Sequence, residues 1–165
     1  MLVKASPNDK IEVQNIFNNT SEDKIIGFNK NNGTDFLLNS YPVTISFEGL
    51  LYPSVDHAYQ ASKTDDIKIR ELIKKSKISE VKKLGRSLQI RDEWVKSRID
   101  IMRMLIREKF QNPFLRHLLL CTGNLSLIND NLRNEKFWGM FKGNGENWLG
   151  KILEEVREEI KKEES

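Results

Sequence analysis

The eleven residues Pro53-Ser54-Val55-Asp56-His57-Ala58-Tyr59-Gln60-Ala61-Ser62-Lys63 constrain this chain more than any other stretch. On a helix, at about 100° per residue, Asp56, Tyr59, Gln60 and Lys63 share one face and Ala58 and Ala61 lie on the other. A surface helix turns large apolar groups inward, whereas here the inward candidates are two alanines. Small side chains permit close backbone approach, so the pattern predicts a helix pressed against its neighbours with a polar stripe facing a cleft. Ser54 suits the N-cap, and Asp56 suits the positive end of the helix dipole. Asp56 also reads as an ordinary first-turn acid on a solvated helix.

The chain around this helix has 165 residues, 38% of them hydrophobic, enough for one globular domain with a core of its own. Lys+Arg 27 against Asp+Glu 24 leaves a net charge of +3, which permits a nucleotide or nucleic-acid partner without calling for one. Met1 to Pro7 has no apolar run of signal-peptide length, and no later segment reaches membrane-spanning length. The expectation is a cytoplasmic protein with no membrane partner. Cys121, the single cysteine, follows Leu118-Leu119-Leu120 and reads as a buried structural thiol. With His57 and His117 the only histidines, a zinc site is not expected, and no metal or cofactor is assigned.

In chain order, residues 1–23 form a polar segment in which Ile11, Val13, Ile16 and Phe17 offer a short docking stretch, and residues 24–165 form the domain. Ile25-Ile26-Gly27-Phe28 and Phe36-Leu37-Leu38 read as strand-like on either side of a turn-rich Asn29 to Gly33. Val43, Ile45 and Phe47 alternate with Thr44 and Ser46, and Glu48-Gly49 turns the chain into Leu50-Leu51-Tyr52, a hairpin feeding the Asp56 helix. Helical periods follow: Ile69, Leu72 and Ile73 from near Asp65; Val81, Leu84 and Leu88 from near Ser79. A long helix capped by Asp92 buries Trp94, Ile101, Met102, Leu105 and Ile106. Pro113 opens another helix that Thr122-Gly123 stops, Leu125 to Ile128 offers a short strand, and Leu149, Ile152, Leu153, Val156 and Ile160 mark a last helix.

Three further features carry chemistry. Asn134-Glu135-Lys136-Phe137-Trp138-Gly139 sets a carboxylate three residues before a Trp-Gly pair in an aperiodic segment. The tryptophan either stacks on a planar ring whose N–H groups the carboxylate accepts, or plugs the core beneath a loop. Gly143-Asn144-Gly145-Glu146-Asn147-Trp148-Leu149-Gly150 leads into the last helix, where backbone N–H groups either meet an anion or form a plain flexible turn. Lys30 and Lys63 are either solvated cations or, if desolvated, nucleophiles able to form a Schiff base.

Taken together, Phe36-Leu37-Leu38-Asn39-Ser40-Tyr41-Pro42, the Tyr52–Lys63 stretch, Lys83-Leu84-Gly85-Arg86, Trp94, Lys109-Phe110, Leu118 to Gly123, Phe137-Trp138-Gly139 and Gly145 to Gly150 resemble the NADAR (YbiA-like) family. The likeness runs from about Ile25 to Ile160, in the family's order. It implies a mainly α fold, a single compact helical domain with a small N-terminal β-hairpin region. It also implies an N-glycosidase that removes ADP-ribose from guanine or cleaves phosphorylated ribosylamino-pyrimidine intermediates of riboflavin synthesis. The partners implied are a nucleotide-like small molecule carrying an ADP-ribose or ribosyl phosphate moiety, or ADP-ribosylated DNA.

The resemblance implies Asp56, Lys30 and Glu135 as catalytic candidates. Asn39, Tyr59, Gln60, Lys63, Arg86, Trp94, Phe137, Trp138, Gly139, Gly145, Asn147 and Gly150 are the substrate-binding candidates. The family's helix carries Glu where Asp56 stands, and its Trp-Gly motif carries Asp where Glu135 stands, so the two carboxylate lengths are exchanged. Leu37-Leu38-Asn39-Ser40 replaces the family's Leu-Ser-Asn-Phe, and Glu146 replaces a loop lysine. Lys30 stands where many members place a lysine shortly after the first strand. The rival reading is a non-catalytic module that binds ADP-ribose or a related nucleotide.

Overall fold

A computed structural model describes residues 23–165. The proposed docking stretch at Ile11 to Phe17 lies outside the described residues. The described elements are β1 (Lys24–Ile26), β2 (Ile45–Phe47), β3 (Leu50–Tyr52), α1 (Val55–Ala61), α2 (Ile67–Lys75), α3 (Ile78–Ser87), α4 (Trp94–Lys109), α5 (Pro113–Cys121), β4 (Ser126–Ile128) and α6 (Trp148–Glu164). The fold is mainly α, as expected. The chain divides into two compact units, Asn39–Lys109 and the residues up to Leu38 together with Phe110–Ser165.

In the Asn39–Lys109 unit, β2 and β3 form the expected antiparallel hairpin, with Ile45 opposite Tyr52 and Phe47 opposite Leu50. Ile45, Phe47 and Tyr52 point into the core, and Ser46 and Leu51 point out, the alternation that a half-buried sheet dictates. The hairpin delivers the chain to α1, whose N-cap Ser54 accepts from His57 N–H. All seven α1 residues are buried, and α2, α3, α4 and the hairpin pack around them. The close approach comes from Ala58 and Ala61, both fully enclosed, and from Gly85 on α3, where an added Cβ would land on the Gln60 side chain. His57 spans the contact: its Nε2 meets Ser76 O at 2.9 Å and its Nδ1 meets Ser54 Oγ at 2.7 Å.

In the other unit, β1 and β4 pair in parallel, with Ile25 beside Leu127. The α6 helix packs on β4 and α5, and Leu149, Ile152, Leu153, Val156 and Ile160 are all buried as their period predicts. Asn147, at φ +53°, locks the start of α6 onto β4 by accepting from Asn129 N–H (2.9 Å) and donating to Leu127 O (2.9 Å). A Cβ on Gly150 would collide with that same Leu127 carbonyl. Arg157 donates from Nη1 to Thr122 Oγ1 and Leu125 O, tying α6 to the end of α5.

Several local expectations are corrected. Phe36 and Leu37 lie in a 3₁₀ turn, not a strand, because Leu37 and Leu38 N–H bond back to Thr34 and Asp35. Leu72 is 57% exposed, α2 turning its Ile73 and Arg70 face inward instead. Asp92 does not cap α4; Glu93 at φ +66° sets its start, with Trp94 N–H reaching Arg91 O. Cys121 is only half-buried, its Sγ 3.5 Å from His117 Nε2 one turn back on α5. Among the described residues no helix is long and apolar enough to cross a membrane.

Gly150→Ala is expected to destabilise the protein by about 1–3 kcal/mol, since a backbone carbonyl cannot rotate away as a side chain can. Denaturant unfolding checks this, with the exposed Gly143→Ala as the contrast for strain at positive φ alone.

Candidate active site

Within the Asn39–Lys109 unit the structure brings together seven predicted residues: Asn39, Asp56, Tyr59, Gln60, Lys63, Arg86 and Trp94. Asp56, Tyr59 and Gln60 are each 6% exposed, so the polar stripe is enclosed by neighbouring helices instead of lining an open cleft. Asn39 is pinned to the first turn of α1, its carbonyl accepting from Asp56 N–H at 3.0 Å. Its Nδ2 rests 3.5 Å from Met102 Sδ. Asn39 Oδ1 and Gln60 Oε1 are buried acceptors with no hydrogen-bond partner among the described residues. Such groups cost free energy unless something donates to them.

The cationic side of the cluster is built on aromatic rings. Tyr59 and Trp94 meet at 5.3 Å between centroids, and Trp94 is held by donating from Nε1 to Ser62 Oγ at 2.9 Å. Lys63 Nζ lies 5.2 Å from the Trp94 centroid and 5.9 Å from that of Tyr59. Burial, and then the nearby Arg86 guanidinium, hold the Lys63 ammonium below the usual lysine range. Neither Lys63 nor Arg86 has an ion-pair partner among the described residues. Two uncompensated cations beside aromatic walls suit a phosphorylated ligand.

Sequence reasoning missed Lys82. It reaches from α3 to within 4.0 Å of Asp56 Oδ2, and no local pattern separates it from its neighbour Lys83, because only the α1–α3 packing selects which lysine meets the carboxylate.

The remaining predicted residues lie in the other unit. Glu135 Oε1 accepts from the N–H groups of Phe137 (2.9 Å) and Trp138 (3.0 Å), so this carboxylate oxygen shapes the loop. The expected anion cradle before α6 is occupied: Glu146, Asn147, Trp148 and Leu149 N–H donate to the carbonyls of Lys136, Gly139, Phe137 and Trp138. Those amides cannot also hold a phosphate. Gly139 and Gly145 serve backbone packing, since a Cβ on Gly139 would strike Asn129 O and one on Gly145 would strike Gly139 O. Asn147 and Gly150 serve the β4–α6 contact described above. Phe137 and Trp138 are half-buried and meet edge-on at 4.8 Å, so Trp138 is not a core plug.

Lys30 is exposed at the start of a 3₁₀ turn. Its loop is stapled: Asn29 Oδ1 accepts from Asn32 N–H, Asn32 Nδ2 donates to Gly27 O, and Thr34 Oγ1 bonds Asn32 Oδ1. A furrow of about 780 Å³ along α6, lined by residues such as Asn124, Lys151, Glu154 and Lys162, holds none of the predicted site residues.

A buried carboxylate on an alanine-packed helix, aromatic walls with uncompensated cations and a Trp-Gly loop laced to the last helix occur here in one chain. The NADAR domain model matches residues 16–161, and the chain belongs to the NADAR domain family. A riboflavin biosynthesis protein of Vibrio vulnificus is 37% identical over 147 residues, which cover 86% of this chain and 40% of that protein. The N-glycosidase YbiA of Escherichia coli is 36% identical over 121 residues, covering 70% of this chain and 75% of YbiA. The NMR structure of E. coli YbiA has a TM-score of 0.76 to this chain at 32% identity, covering 88% of this chain and 89% of that one. This chain thus matches about two fifths of the length of the Vibrio relative.

In a titration of isotopically methylated lysines, Lys63 is expected to lose its proton below the range of the exposed lysines. Arg86→Ala should move that value upward, since removing a positive neighbour eases protonation. Part of the depression should remain, because burial is the larger cause.

Proposed function

We propose that this protein is an N-glycosidase that hydrolyses a ribosyl N-glycosidic bond in a phosphorylated substrate. The observation that carries the reading is the Asp56 carboxylate, enclosed on α1 beside the Tyr59–Trp94 wall and the Lys63–Arg86 cations. Relatives named N-glycosidases support the reaction class: YbiA, and a protein of Nostoc punctiforme 35% identical over 131 residues, 83% of its length.

Cleavage of such a bond leaves positive charge on the anomeric carbon as the bonding electrons depart with the base nitrogen. A fixed carboxylate in a water-poor site stabilises that charge and accepts a proton from the attacking water, whose oxygen forms the new bond to carbon. Asp56 takes this role. Lys63 and Arg86 bind phosphate, Tyr59 and Trp94 form the wall against which the substrate packs, and Asn39 and Gln60 accept hydroxyl or amide protons. Lys82, 4.0 Å from Asp56, is a positioning residue. In the other unit, Glu135 holds the Phe137–Trp138 turn in place.

The substrate we favour is ADP-ribose attached to guanine, as a nucleotide or in DNA. A phosphorylated ribosylamino-pyrimidine is the second reading, favoured by the relatives named as riboflavin biosynthesis proteins. Incubating both substrates with wild type and Asp56→Asn, with mass spectrometry of the products, separates them. Wild type should release free base or ribosyl product from one of the two, and Asp56→Asn should be slower by about a hundredfold or more while still binding. Binding without product from either substrate would leave a nucleotide-binding module instead.

A covalent alternative has Lys30 Nζ attack C1 of the ring-opened sugar while the base nitrogen is still joined there: the base departs with a proton, leaving a protein-bound imine that water hydrolyses to the free sugar and Lys30. Borohydride added during turnover tests it: direct hydrolysis leaves the protein mass unchanged, and a reduced sugar adduct mapped to Lys30 would replace water attack with the Schiff-base route. Gly85→Ala, which displaces Gln60 without touching Asp56, should raise KM more than it lowers kcat, read from steady-state kinetics.

A further inference from the structure

The α2–α3 segment carries a charge that the rest of the chain does not. Residues 67–87 hold eight lysines and arginines against two acids, whereas the whole chain carries only +3. Outside this segment the chain is therefore net acidic, and the positive charge is gathered in one place. Arg70 is buried and paired with Glu48, and Lys82 and Arg86 belong to the site already described. Lys68, Lys74, Lys75, Lys77 and Lys83 have no ion-pair partner among the described residues. The acids nearby are mostly engaged: Asp65 pairs with Arg91, and Asp66 Oδ1 caps α2 by accepting from Lys68 and Ile69 N–H. Only the half-buried Glu71 and the exposed Glu80 are left to offset five lysines.

On α2, Lys68, Leu72 and Lys75 fall within an arc of about 60°, all exposed and opposite the buried Arg70 and Ile73. Leu72 is 57% exposed, and the chain runs on at once into exposed Lys77 and Ile78 at the start of α3. Helix stability does not explain this arrangement. Lys68 stands in the first turn of α2 and Lys77 at the N-cap of α3, both positive helix ends where a cation is unfavourable. Lys77 also offers no capping oxygen. Of these lysines only Lys74 and Lys75, in the last turn of α2, suit the helix dipole. Cations set against two dipoles, with aliphatic side chains held in solvent among them, are costs that folding does not recover.

Lysine is a hydrated point charge on a flexible stem and suits a diffuse anionic surface, whereas bidentate recognition of one phosphate or carboxylate favours arginine. A protein partner fits less well, since lysine is depleted at interface cores and this stripe has no aromatic anchor. A polyanion such as a nucleic-acid backbone would use the cations but not Leu72 or Ile78. An anionic bilayer uses both, its headgroups drawing the lysines and its acyl boundary taking aliphatic side chains. We propose that the outer face of α2 and the turn into α3 dock on an anionic lipid bilayer, with Lys68, Lys75 and Lys77 at the headgroups and Leu72 and Ile78 entering the boundary below them. Such a contact lies on the bilayer and needs no spanning helix, and it adds a membrane partner that the sequence reading did not expect. It stands independently of the N-glycosidase reading.

The test is co-sedimentation of the full chain with vesicles of phosphatidylcholine alone and of equal parts phosphatidylcholine and phosphatidylglycerol, with duplex DNA and polyglutamate as separate binding arms. The expected result is binding to the anionic vesicles only, weakened by added salt. Lys68→Ala and Lys75→Ala should each reduce that binding about fivefold, and Leu72→Ser should reduce it by roughly the same factor. These side chains are exposed, so the variants should keep the wild-type circular dichroism and the comparison remains one of binding. No binding to anionic vesicles, equal binding to neutral ones, or pelleting without vesicles overturns the proposal, the last by showing self-association instead. Tighter binding to duplex DNA or polyglutamate than to the anionic vesicles also overturns it, in favour of that polyanion. So does vesicle binding unchanged in both Leu72→Ser and Ile78→Ser, because a bilayer contact requires the aliphatic side chains and simple charge attraction does not.

Discussion

Everything in the Asn39–Lys109 unit depends on how closely three helices and a hairpin can crowd one short helix. Ala58, Ala61 and Gly85 permit that approach because they keep side-chain volume out of the contact. Packing this close normally favours apolar side chains, yet α1 carries Asp56, His57, Tyr59 and Gln60 into the interior. His57 is satisfied by Ser54 and Ser76, and Asp56 has a lysine within Coulombic reach. The Gln60 and Asn39 carbonyl oxygens have no partner among the described residues. Buried acceptors left unpaired where leucines could stand cost stability.

The other unit solves a different problem, that of giving an irregular loop a fixed shape without a sheet or helix of its own. It does so with backbone: four amides at the start of α6 donate to four carbonyls of residues 136–139, and a glutamate closes the turn between them. Glycines at 139, 145 and 150 stand where a Cβ would collide with a carbonyl. The Trp-Gly loop and the glycine-rich loop are therefore one laced element. Its glycines and Asn147 serve the lacing, and its side chains Phe137, Trp138 and Trp148 are what it offers outward.

Periodicity revealed most of the helices and the hairpin because both arise from local rules: a buried stripe every 3.6 residues, alternation every two, a cap at Ser54 and a proline opening α5. The parallel pairing of β1 with β4 joins segments about a hundred residues apart, and a three-residue strand carries no signal of its partner. Leu72 and Cys121 misled because an apolar residue on a helix is read as inward until the neighbouring element is known. The chemistry-bearing residue types of α1 were legible for a simple reason: polar groups opposite small ones are unusual on any helix.

Residue order by itself thus determined the mainly helical class, the hairpin that leads into α1, and the set of side chains grouped on that helix. Each follows from spacing within one element. Tertiary structure alone decided that the α1 stripe is enclosed, that Lys82 and not Lys83 meets Asp56, and that the amides before α6 are spent on a neighbouring loop. These outcomes depend on which backbone comes within a few ångströms of which, a distance that no sequence window contains.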